Sequence, residues 1–106
     1  MTEHVYEVMT EIVPEAGAEF PADMAGAFVL CFVRAPRLRE AVDVAERALA
    51  DEGYRLVDAS HVLRLDPEDH EPSSDGHPTA AELDAVLATG RAHFGSFHCF
   101  PPDVPG

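Results

Sequence analysis

Arg34, Arg37 and Arg39 gather three of the chain's seven basic residues into one short stretch. A guanidinium fork matches the oxygens of a carboxylate or phosphate, so such a cluster reads as an anion trap. Its place adds to that reading. An apolar run ends at Arg34 and a helix begins at Pro36, and a strand end beside a helix N-terminus is where sheet-and-helix folds capture anions. Against it, cations oppose the helix dipole at an N-terminus, and no Gly-rich cradle accompanies the cluster. Pairing with the chain's own carboxylates is the plain alternative, since Asp and Glu number 20. Binding of a small anionic ligand at Arg34, Arg37 and Arg39, with or without enzymatic activity, is therefore the second functional reading of the sequence.

His93, His98 and Cys99 carry the donor types that zinc prefers, and His70 and His77 add two more imidazoles in an acidic stretch. Spacing works against a site. On a regular strand His93 and His98 face apart, as do His98 and Cys99, while His93 and Cys99 share a face about 20 Å apart. Only a bulge at Gly95 would bring the two histidines to one side. No CxxC or HExxH pattern is present, and the loop carboxylates match no calcium loop. Cys31 lies in the most apolar strand and is expected to be inert. Cys99 has His98 beside it in sequence, but a nucleophile and its base must reach hydrogen-bonding distance, which strand neighbours do not. His61 falls in an apolar row and reads as a core or edge residue. The sequence thus points to no metal, no cofactor and no catalytic residue, and leans away from an enzyme.

The elements that position these residues centre on Ala25 to Leu65. Phe28 to Val33 is an unbroken apolar run of strong strand formers, as in a strand buried on both faces. A helix is expected from Pro36 to Glu52, with proline at its first position. Its apolar stripe runs through Leu38, Val42, Ala45 and Leu49, widened by Ala41 and Ala48. Asp43 and Arg47 are spaced for a helical ion pair, and Gly53 provides the stop. Arg55 to Leu65 alternates, with Val57, Ala59, His61, Leu63 and Leu65 on one face and Leu56, Asp58, Ser60, Val62 and Arg64 on the other.

Ahead of this unit, Glu3 to Val13 fits a strand with Tyr6, Val8 and Ile12 on one side and Val5, Met9 and Val13 on the other. Helical spacing also fits. Its β-branched content, Pro14 and the like charges repeating every four residues favour the strand. Residues 14 to 25 form a loop whose Phe20 and Met24 are expected to tuck onto the core. Residues 66 to 78 form a mobile acidic loop rich in breakers. Thr79 to Glu82 is a capping box opening a second helix with Leu83, Val86 and Leu87 on its apolar face and Gly90 at its end. Ala92 to Phe100 is the last strand, and residues 101 to 106 are a frayed tail.

Strand, strand, helix, strand, helix, strand, with the two helices on one face of a four-stranded sheet, gives an α+β fold. Over Ala25 to Leu65 this layout resembles a variant of the ferredoxin-like plait, as in small bacterial proteins of that architecture. The resemblance is to an architecture, and implies no function.

The chain of 106 residues bounds this to one domain. Its net charge is −13, and all seven basic residues are arginine. Salt adaptation and GC-rich coding both produce such a balance. The acidity argues against nucleic acids and anionic membranes as partners and suits a basic protein. The start of the chain reads as no signal peptide, no apolar run spans a bilayer, and Cys31 and Cys99 make no disulfide framework, so the cytoplasm is the expected setting.

The first functional reading is accordingly a small acidic protein-binding module, such as an immunity- or antitoxin-type partner of a basic protein. A homodimer is expected as well. Phe28, Leu30 and Phe32 face one way and Ala27, Val29, Cys31 and Val33 the other, and two helices on one face would leave the second in water.

Elemental analysis of protein purified without a metal-affinity tag should find no stoichiometric zinc. One zinc per chain, lost on His98→Ala or Cys99→Ala, would overturn that expectation.

Overall fold

The apolar runs become a four-stranded sheet. In the computed structural model, which describes residues 3–15, 21, 23–65 and 79–101 (the side chains of Ala80 and Ser96 apart), the strands are β1 (His4–Pro14), β2 (Gly26–Ala35), β3 (Tyr54–Leu65) and β4 (His93–Phe100). Two helices join them, α1 (Leu38–Asp51) between β2 and β3, and α2 (Ala80–Thr89) between β3 and β4. The sheet order is β3-β1-β2-β4. Every neighbouring pair is antiparallel, so β2 and β3 run parallel with β1 between them. Phe20, His70, His77, the acidic loop and residues 102–106 of the tail lie outside the described residues.

β1 is a strand, as its β-branched residues and charge spacing require. Its Tyr6, Val8 and Ile12 join Val29, Cys31 and Val33 of β2 in one core cluster, sealed by Ala41, Ala45 and Leu49 of α1. Alanines at two of these three helix positions hold no bulk between helix and sheet, so α1 sits close. The helix starts at Leu38 with Arg37 as its N-cap, so Pro36 precedes the cap instead of opening the helix. Leu38, expected in the apolar stripe, is 52% exposed. The buried stripe is rotated to Ala41, Ala45 and Leu49. Arg47 has no ion pair with Asp43 among the described residues. Gly53 stops the helix at φ 90°, its N–H donating to the carbonyl of Ala50.

The two helices do not share a face. Val5 and Phe32, whose side chains point away from α1, form a second cluster with Leu83 and Val86 of α2, flanked by Leu30, Leu65 and Leu87. The architecture is helix, sheet, helix, and this corrects the one-face packing expected from the ferredoxin-like plait. The physical reason lies in β2. Phe32 and Val33 are adjacent, both fully buried, and strand neighbours point to opposite faces. Burying each contributes about 1.5–3 kcal/mol, so both faces need a cover.

The edge strands depart from simple alternation. β3 pairs with β1 through two register shifts, between Met9 and Thr10 and between Glu11 and Ile12. Each inserts one extra residue into β3 and reverses which side the next residues face. Leu56, Ala59 and Val62 consequently all pack toward α1, whereas regular alternation sets Ala59 opposite Leu56 and Val62. In β4 the register shifts between Val29 and Cys31 of β2, so that Phe97 pairs with Val29 and Phe94 with Cys31. The extra residue falls at Gly95–Ser96, the bulge that Gly95 suggested.

Thr10 is the buried polar residue of the core among the described residues. Its hydroxyl donates to the Val29 carbonyl at 2.8 Å and lies 3.7 Å from the Cys31 sulfur. Burial pushes the Cys31 thiol up to about 11, the contact with Thr10 opposing in part. Cys31 is therefore a protonated, unreactive thiol at neutral pH, whereas Cys99 is exposed.

Thiol titration of the native protein should label Cys99 alone, with Cys31 appearing only on unfolding; fast native labelling of Cys31 would misplace β2. The unfolded chain ionises this thiol first, so stability should fall as pH rises from 9.0 toward 11. That slope should be shallower in Cys31→Ala.

Candidate binding surface

The arginine cluster is divided by the fold. Arg34 lies on the same face of β2 as Phe32 and reaches α2. Its Nε meets a Glu3 carboxylate oxygen at 2.6 Å, and its Nη1 donates to the Leu87 carbonyl at 3.1 Å. A cation at a helix C-terminus satisfies free carbonyls and complements the dipole. Gly90, at φ 76°, closes the helix directly over this guanidinium, and a Cβ there would lie 2.6 Å from Arg34 Nη2. Arg37 and Arg39 are exposed at the start of α1, and the Arg37 side chain makes no cap hydrogen bond. Arg34 is thus a clasp for α2, separated in role from the other two.

The histidines and Cys99 do not converge. The bulge in β4 puts His93 and His98 on one face, paired with Phe32 and Phe28 respectively, and turns Cys99, paired with Ala27, to the other. His93 and Cys99 therefore do not share a face, contrary to regular alternation. His93 lies 3.4 Å from Glu82, and its ring packs on Phe32. Glu82 completes the capping box, accepting from the Thr79 backbone N–H at 3.1 Å. That bond, with His93 nearby, lowers the Glu82 pKa. No group of three or more His, Cys, Asp or Glu side chains among the described residues is placed to hold a metal.

One surface remains without a structural explanation. α2 spans only Ala80–Thr89 and covers the end of its face around Val5 and Phe32. Toward the other end of the same face the Phe100 ring lies over Gly26, and Phe28 belongs to neither of the clusters packed by the helices. Phe28, between Glu11 of β1 and His98 of β4 in the register, is 43% exposed and has its ring 5.1 Å from that of Phe100. Leu63 is 47% exposed too, but it pairs with Glu7 on the edge strand β3, level with Phe32 and not with Phe28. His61 reaches the Glu7 carboxylate at 3.1 Å over this surface. The result is an exposed aromatic pair, Phe28 and Phe100, with Glu11 and Asp58 beside it in the register. The run of β2 signalled an apolar second face; its limits follow from the length of α2 and the bulges of β3, neither of which the apolar run contains.

No family model, curated protein or solved structure matches this chain. No helix of the described residues is long and apolar enough to cross a membrane.

Gly90→Ala tests the clasp. It combines a left-handed backbone with a collision on Arg34 and should destabilise the fold by about 1–2 kcal/mol, read from denaturant midpoints. An unchanged midpoint would show that α2 is not held this way.

Proposed function

We propose that this chain is a protein-binding module, and that a partner docks on the open half of the α2 face, with Phe28 as the apolar anchor. The observation that carries this reading is the exposure of Phe28 toward one end of an inner strand, next to Phe100 and bordered by Glu11 and Asp58. Large aromatics surrounded by polar groups are common anchors of interfaces. The net charge of −13 favours a basic partner, because opposite charge speeds encounter and like charge opposes it. An acidic immunity- or antitoxin-type role toward a basic protein fits this, in the cytoplasm that the free thiols Cys31 and Cys99 suit.

A second copy of the chain is the other occupant, giving a homodimer packed through the same surface. Apolar area favours it, but each copy brings a full complement of negative charge, so it would tighten as salt screens the repulsion.

A synthetic leucine/lysine amphipathic peptide serves as probe, with sedimentation of the protein alone at low and high salt beside it. The proposal expects a monomer at low salt, peptide binding that weakens as salt rises, and a loss of about tenfold or more on Phe28→Asp. Salt-insensitive binding, or binding untouched by Phe28→Asp, would overturn it. A Phe28-dependent dimer at both salts would replace the basic partner by a second copy.

A further inference from the structure

A cleft of about 780 Å³ lies between α1 and the segment entering β4, away from the Phe28 surface. One wall is a single helical stripe: Val44, Arg47, Ala48, Asp51 and Glu52 recur at the spacing that places side chains on one face. The other wall runs from Gly90 through Arg91 and Ala92 to Phe94. The Arg91 backbone N–H donates to the Thr89 hydroxyl at 3.1 Å, which ties this wall to the end of α2. The space is an open groove and not an enclosed cavity, wide enough to seat a small molecule against its walls.

The charges of the cleft are not spent on one another. Neither Arg47 nor Arg91 has an ion pair among the described residues, in a chain with 20 carboxylates. Two guanidinium groups beside one cleft offer forked donors to a carboxylate. Asp51 and Glu52 sit at the C-terminal end of α1, where the helix dipole favours a cation, and the last turn of α1 contains no basic residue of its own. The cleft therefore combines an anion-binding and a cation-binding group with an apolar lining of Val44, Ala48, Ala92 and Phe94. Asp51 and Glu52 would repel a polyanion.

We propose that this cleft binds a small zwitterion with an apolar body, such as a free apolar amino acid, its carboxylate held by Arg47 and Arg91 and its ammonium by Asp51 and Glu52. Arg34, Arg37 and Arg39 do not line the cleft, although the Arg34 guanidinium lies against its Gly90 wall, and the site does not depend on the Phe28 surface.

Backbone amide shifts recorded during titration with L-phenylalanine, phenethylamine and 3-phenylpropanoate test it. L-phenylalanine should shift the amides of Arg47, Asp51, Arg91 and Ala92 saturably. Each of the two truncated compounds should bind about tenfold more weakly, as should L-phenylalanine to Arg91→Ala or Asp51→Asn, the scale expected for loss of one charge-assisted hydrogen bond. No saturable shift at millimolar ligand, equal binding of all three compounds, or unchanged binding by Arg91→Ala would overturn the proposal. Both variants change exposed side chains, and a thermal melt of each confirms that the fold is kept.

Discussion

β2 is apolar on both faces and lies inside the sheet, so the sheet must be covered twice. Val29, Cys31 and Val33 go under α1, and Phe32 goes under α2. α1 is long enough to line its face from Ala41 to Leu49. α2, with ten residues, is not. Among the described residues the shorter α2 leaves Phe28 outside both helix-packed clusters, and the capping box, the Gly90 turn and the Arg34 clasp all hold the short cover in place.

Much of this was legible in the sequence because it rests on local chemistry. The run Phe28 to Val33 specified an inner strand with apolar side chains on both faces, though its first residue, Phe28, is exposed; Thr79 and Glu82 specified a helix start, and Gly53 and Gly90 specified helix ends. What escaped was set by pairing between distant segments. Bulges in β3 depend on how it aligns with β1, so the alternation of Val57 to Leu65 misassigned its faces. The same holds for the side on which α2 packs. Leu83, Val86 and Leu87 declare that the helix has an apolar face, but not which face of the sheet receives it. That is decided by Phe32 and Val5, far away in sequence.

The site residues divide along the same line. A cluster of arginines is visible as composition, yet Arg34 is drawn off by Glu3 and the end of α2, contacts between segments that sequence spacing does not reveal. Arg47 and Arg91, which line the cleft, are 44 positions apart in the numbering, and no local pattern links them. Phe28 was visible as apolar, but its place outside both helix-packed clusters is set by packing between segments distant in sequence.

The central claim is that the half-face around Phe28 is open in the free protein. Paramagnetic relaxation by an inert soluble probe, read on assigned side-chain resonances at several dilutions, tests it directly. The account predicts strong broadening at Phe28 and little at Phe32, Leu83 and Val86. Protection of Phe28 equal to that of Phe32, unchanged on dilution, would contradict it, because the chain would then cover this surface by itself.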